Sequence, residues 1–270
     1  MAKPLIALRG GLGVGPIVRT RRSDFNWELD LREGIDFSLY VAQYERRTTR
    51  FLTTHLKRGD IALDLGANIG AQTLPMAQAV GDTGRVIAVE ATDYAMSKLQ
   101  RNLSLNPGLT SRVTCVQAIL SDSDGSENNS IYSSWPITST AEDLDRHGVH
   151  GGVLKSTNGA FRSLDALVAE LGLPNVHFIK LDVDGNELSV LRSGAETIRR
   201  YRPKMVVEFA PYLHRSVPGG FEALLQFIGD ARYALYKTDG ETPVMATTDA
   251  FDQIVDDGAS IDLELRPLPL

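Results

Sequence analysis

The segment that most constrains this chain is Asp64-Leu65-Gly66-Ala67-Asn68-Ile69-Gly70, set between a short apolar run, Ile61 to Asp64, and an apolar helical pattern, Ala71 to Val80. Glycines let a strand turn sharply into a helix, and the helix start presents unpaired N–H groups. In open α/β sheets this is the end where nucleotide-like ligands bind. A second apolar strand, Arg85 to Glu90, follows and ends in an acid. That acid falls about 20 residues past the last glycine, where a carboxylate accepts ribose hydroxyls.

The alternation continues down the chain. Strand patterns are predicted at Phe25–Leu31, Arg112–Ile119, Val176–Asp182, Lys204–Phe209, Tyr233–Lys237 and Ile261–Leu265. Helices are predicted at Tyr44–Leu56, Tyr94–Leu105, Ser163–Leu171, Glu187–Tyr201 and Phe221–Ile228, and Pro75 should delay the start of the helix Ala71–Val80 or bend it. Such a pattern makes a parallel sheet with helices on both faces. The expected architecture is α/β: a Rossmann-like, doubly wound, mostly parallel sheet of seven strands. Residues 1–48 form a small N-terminal extension and 49–270 the main domain. The polar stretch at about 121–160 is long for a connection, so it reads as an insertion with a functional or flexible role.

The ligand is narrowed by charge. The spacing is Gly-x-x-x-Gly, without the central glycine of a pyrophosphate cradle. Asp64 precedes it, and a carboxylate there repels a pyrophosphate but attracts a cationic amino-acid moiety. S-adenosylmethionine carries an ammonium, a sulfonium and no phosphate, so the pattern favours it over a dinucleotide. The simpler alternative makes Gly66 and Gly70 a turn and Glu90 a surface acid. The competing functions are a nicotinamide-dependent sugar oxidoreductase and a non-catalytic module that keeps the cofactor fold.

The net charge of −6 argues against general nucleic-acid binding, which needs basic patches. Arg19, Arg21 and Arg22 sit together, and such a run is ordinarily a solvated loop. Gly10 to Gly15 resembles a phosphate loop but lacks a preceding strand, so it reads as a flexible segment. The single cysteine, Cys115, lies in an apolar run and reads as a small buried hydrophobe. No apolar stretch of about 18 residues exists, so no spanning helix is expected and the cytoplasm is the default location.

The segment Asp64 to Gly70, Glu90, Ser121-Asp122, Lys180-Leu181-Asp182-Val183-Asp184-Gly185-Asn186-Glu187 and Val206-Val207-Glu208-Phe209 together resemble the FkbM-type methyltransferases. The Tyr44-Glu45 pair and Arg58-Gly59-Asp60 extend the resemblance to roughly residues 25–265. It implies a class I methyltransferase fold, S-adenosylmethionine as cofactor, and methyl transfer to a hydroxyl of a saccharide or natural product. Cofactor contacts are expected at Asp64, Gly66, Ala67, Asn68, Gly70, Glu90, Ala91, Ala118, Asp122, Asp182 and Glu45. The family often has Glu-Pro at Glu90-Ala91, and Asp-Val-Glu-Gly where this chain has the shorter Asp184, which puts a contact by Asp184 in doubt.

At the reactive end, Lys180 and Asp182 are two apart on a strand and share a face. Asp182 is the expected base or acceptor-orienting group. Lys180 sets its charge, or is itself the base if its pKa is lowered, and Glu208 is a second acid. A merely structural ion pair among the three is the alternative. Asp182 and Glu208 without a clear third ligand make a divalent metal possible but not favoured. His214 lies just past the fifth core strand, near enough to reach a substrate, and His147 and His150 fall in the insertion. The acceptor is expected to be a small molecule or saccharide, with no nucleic-acid partner; an oligomer remains open.

Overall fold

The computed structural model describes residues 2–122, 130–134, 153–214 and 220–269. The chain opens with α1 (Ala2–Gly11), β1 (Ile17–Arg22), β2 (Phe25–Asp30), α2 (Gly34–Tyr40) and α3 (Arg46–His55). The first half of the core is β3 (Ile61–Leu65), α4 (Thr73–Val80), β4 (Arg85–Glu90), α5 (Asp93–Ser104), α6 (Pro107–Thr110) and β5 (Val113–Leu120). The insertion contains β6 (Ser130–Ser134) and β7 (Val153–Ser156), which pair with each other, and it returns through β8 (Ala160–Arg162). The second half is α7 (Leu164–Glu170), β9 (Phe178–Leu181), α8 (Glu187–Ser193), α9 (Ala195–Tyr201), β10 (Lys204–Phe209), α10 (Gly220–Asp230), β11 (Tyr233–Lys237), β12 (Pro243–Val244), α11 (Thr248–Asp252) and β13 (Ile261–Pro267).

The sheet order is β12-β11-β13-β10-β9-β3-β4-β5-β8. The seven expected strands are its centre. One short strand from the insertion is added beside β5, and β12 is added at the other edge. Strands β8 to β10 in this order run parallel, and β13 inserts antiparallel between β10 and β11. Strand order reverses between β3 and β9, where a crevice opens at the strand C-termini.

Local sequence explains these elements. β3 is buried at every position, as a central parallel strand must be when helices cover both faces. Pro75 lies in the first turn of α4, where its missing N–H costs nothing. Thr92 and Ser163 cap α5 and α7 through their hydroxyls. The predicted helix Glu187–Tyr201 breaks at Gly194, because a Cβ there would meet Leu164 Cδ2 of α7 at 2.5 Å.

The N-terminal segment differs most from expectation. Gly10 and Gly11 end a helix, and Arg19, Arg21 and Arg22 lie on β1, paired with β2, rather than in a loop. Trp27, Leu29 and Leu31 pack with Leu99 and Leu103 of α5. Asn102 and Asn106 side-chain oxygens accept the backbone N–H groups of Glu28 and Asn26. The hairpin is thus bolted to the main core. Cys115 is half-buried against this same cluster, and burial pushes its thiol up to about 11.

Candidate functional site

The glycine bend is clamped from one side. Gly66 and Ala67 both donate to the Val89 carbonyl at 3.0 Å, and Asn68 N donates to Glu90 Oε2 at 3.0 Å. Glu90 Oε1 accepts from Thr92 N at 2.9 Å and Thr92 Oγ1 at 2.8 Å. Two carboxylate oxygens offer about four acceptor positions, so one remains for a ligand hydroxyl. Burial raises the Glu90 pKa, and these three donors pull it back.

The two glycines also meet a packing demand at the turn. A Cβ on Gly66, at φ +83°, would stand 1.7 Å from the Asp182 carbonyl oxygen. A Cβ on Gly70 would meet Leu99 Cδ1 at 2.7 Å. The bend therefore sits tight against the end of β9.

Sheet register brings Lys180 opposite Asp64 on β3 and Val206 on β10. Lys180 Nζ lies 2.9 Å from Asp182 Oδ2, 3.1 Å from the Gly66 carbonyl and 3.8 Å from Asp64 Oδ1. Burial by itself would lower the lysine pKa, but Asp182, Asp64 and Glu45 outweigh it and raise it. Lys180 stays charged, which removes it as a base.

Asp64 is fully buried. Oδ2 accepts from Thr73 Oγ1 at 2.5 Å, while Oδ1 has no hydrogen-bond donor among the described residues. The Lys180 ammonium is an ion-pair neighbour, too distant for a hydrogen bond. That orphaned oxygen, with a spare acceptor position on Glu90 at the next strand tip, fits a ligand bearing positive charge at one end and hydroxyls at the other.

Beyond the strand tips the acids crowd. Asp182, Asp184 and Glu208 offer carboxylate oxygens within 4.8 Å of one another, and each is half-buried. Asp184, which the sequence put in doubt, supplies the third carboxylate that a cation site was expected to lack. Its shorter arm is compensated by its backbone, left-handed at φ 50°. Burial, then Asp182 and Glu187, drive the Asp184 pKa well up. Burial, Asp182 and Asp184 do the same to Glu208, which accepts from Ser260 Oγ at 2.7 Å. Asp262 on β13 stands opposite Glu208 in the antiparallel register and accepts from Thr48. Sequence reasoning missed Asp262, since nothing local marks a strand acid as facing a distant crevice.

Several expected residues lie elsewhere. His214 is buried between Glu187, 3.3 Å from Nε2, and the Phe221 ring, 5.7 Å away, so its imidazole packs the interior instead of meeting substrate. Asp122 accepts from Ser189 on α8 at 2.6 Å. Ala91 and Ala118 are covered by the return of the insertion: the Ala91 carbonyl accepts from Thr157, and Ala118 pairs with Ala160. His147 and His150 lie outside the described residues.

With the crevice so arranged, the sequence matches the family described as methyltransferase FkbM domain over residues 64–236. The chain belongs to that family. That family is one of S-adenosylmethionine-dependent methyltransferases. No curated protein matches the sequence. Among solved structures it is similar to methyltransferase FkbM from Methylobacillus flagellatus KT, at 21% identity and TM-score 0.46, covering 77% of this chain and 43% of that one. It spans less than half of that relative. A putative O-methyltransferase from Klebsiella pneumoniae gives 15% identity and TM-score 0.46 over 82% of this chain and 79% of the other. A putative rRNA methylase from Clostridium thermocellum gives 12% and 0.47 over 83% and 94%. No helix among the described residues is long and apolar enough to cross a membrane.

Proposed function

We propose that this FkbM-family protein moves the methyl group of S-adenosylmethionine to a hydroxyl of a saccharide or other small natural product. The observation that carries this reading is the convergence of Asp182, Asp184 and Glu208 beside the bend that Glu90 and Lys180 hold. Carboxylates in that position bind and orient hydroxyls, the groups in which saccharides are richest. They repel the phosphates of a nucleic acid.

The bound cofactor supplies an electrophilic methyl on a sulfonium, so the protein has mainly to place the acceptor and receive its proton. The residues suited to hold the cofactor are Asp64, Ala67 and Asn68 at the bend and Glu90 at the tip of β4. Asp182, fixed by Lys180, orients the acceptor hydroxyl. Correct placement of two reactants is worth about 7–11 kcal/mol.

The test is release of S-adenosylhomocysteine from S-adenosylmethionine in the presence of a panel of mono- and oligosaccharides. Acceptor-dependent release supports the reading. Transfer to RNA in place of saccharides refutes it, and cofactor binding without transfer to any acceptor supports a binding module.

A further inference from the structure

Glu45 stands just before α3 in a left-handed conformation, φ 31° and ψ 45°. A non-glycine residue held there costs about 1–3 kcal/mol and persists only where its surroundings enforce it. The residue preceding a helix ordinarily spends its side chain on the free N–H groups, yet the Glu45 carboxylate makes no such bond. Instead Oε2 accepts from Gln72 Nε2 at 2.9 Å. Gln72 is itself buried, and its Oε1 takes the Thr49 hydroxyl at 2.9 Å, which fixes the amide with its NH₂ toward Glu45. A strained backbone and a buried amide thus aim one carboxylate.

The turn that carries it borders the crevice: Gln72 follows closely on the Asp64–Gly70 bend, and Thr48 in the first turn of α3 bonds Asp262, opposite Glu208 on β10. The charges that act on Glu45 are Asp182, Asp262 and Lys180, and the neighbouring Tyr44 phenol feels Glu45, Asp182 and Glu208. Several other acids there are already engaged. Asp182 is bonded to the Lys180 ammonium, which stabilises its anion and weakens it as a base. Asp64 takes the Thr73 hydroxyl, Asp262 that of Thr48, and Glu208 that of Ser260. Among the described residues no cation is bonded to Glu45; its partners are the Gln72 amide and the neighbouring Tyr44 phenol.

We propose that Glu45 faces the methyl-transfer point and accepts the acceptor's hydroxyl proton, while Asp182 orients that hydroxyl. This rests on the methyltransferase reading above. The hydroxyl oxygen forms the new O–C bond, the C–S bond breaks with its electron pair remaining on sulfur, and the O–H proton passes to Glu45 Oε. A sulfonium cation and a carboxylate anion become a thioether and a carboxylic acid, so charge is cancelled in a crevice that solvates it poorly. Burial, then Asp182 and Asp262, push the Glu45 pKa up to about 7, against the pull of Lys180 and Gln72. A base of that strength suits neutral pH.

The test is calorimetric binding of S-adenosylhomocysteine and of sinefungin, whose amine stands where the transferred methyl stands. A charge-assisted contact of about 1.5–3 kcal/mol predicts that wild type prefers sinefungin by about tenfold or more at pH 8. Glu45→Gln, which keeps the Gln72 bond, should lose about tenfold of that preference while its S-adenosylhomocysteine affinity stays within about threefold. Asp262→Asn should leave the preference in place. Lowering the pH to 6 should erode it in wild type but not in Glu45→Gln. Equal loss of both ligands in Glu45→Gln would overturn the proposal by making Glu45 a cofactor clamp. No change for either would place it away from the reacting centre. If wild type bound neither ligand, the cofactor crevice itself would fail, and the proposal with it.

Discussion

The two sides of the crevice handle negative charge in opposite ways. On the β3–β4 side, Glu90 is surrounded by donors: one backbone N–H from Asn68, another from Thr92, and the Thr92 hydroxyl. On the β9–β10–β13 side, Glu45, Asp182, Asp184, Glu208 and Asp262 share a single buried cation, Lys180. On the first side Glu90 is held by the fold and serves as a rigid socket. The second holds like charges in proximity, an arrangement unfavourable to folding that a hydroxyl-bearing or cationic ligand relieves. Perturbed carboxylates concentrate where chemistry occurs, and the ones that raise one another concentrate on the second side.

The contrast should break most severely at Lys180→Met. Removing the one buried lysine among the described residues leaves the buried Asp64 charge with only the Thr73 hydroxyl, and breaking a buried pair costs about 3–5 kcal/mol. Urea unfolding should show it. A loss under about 1 kcal/mol would mean that the acidic side does not depend on Lys180. Gly66→Ala comes next, since its Cβ would collide with the Asp182 carbonyl at an unfavourable φ. A cost of about 2–4 kcal/mol is expected, with cofactor affinity falling in parallel. Glu90→Ala strips the acceptor from two backbone N–H groups and should cost about 1–3 kcal/mol. It should also weaken S-adenosylhomocysteine binding more than about tenfold in calorimetry, the energy of one or two hydrogen bonds to a charged group. Unchanged affinity would remove Glu90 from the ribose role.

The smallest expected effect is a pH dependence of the second side. Glu45 is raised from 4.5 to about 7, and Asp262 from 3.8 to about 6. In that window the folded protein holds protons that the unfolded chain has released. The contribution is therefore fully present below the unfolded values and is lost as pH rises through the folded ones. Between pH 5 and pH 8 these groups should lower the urea midpoint, and Asp262→Asn should shrink the difference. A midpoint drop of the same size in Asp262→Asn as in wild type would show that Asp262 is not under strain.

Much of the socket is written locally. The run Ile61–Asp64, the glycines and the strand ending at Glu90 follow from hydrophobic period and turn chemistry over about 30 residues. The insertion was legible from its polar composition, though not the short β8 that returns from it. The β1 strand was hidden because Arg19 and Arg21 look solvated; they are solvated, but on the outer face of a hairpin whose inner face carries Val18 and Trp27. Gly194 divides a continuous helical pattern only because Leu164, from another helix, packs against it.

What the sequence by itself determined is the order of strand, bend, helix and acid, and hence the doubly wound sheet and the cofactor end of the crevice. Periodicity and capping act between near neighbours, so those features can be read along the chain. Tertiary structure alone decided that Lys180 faces Asp64, that Asp184 and Asp262 join Asp182 and Glu208, that His214 turns inward, and that Glu45 arrives from the N-terminal side. These meetings depend on which strands lie side by side and in what register. That is set by burying the sheet between its helices, not by any property of the residues that meet.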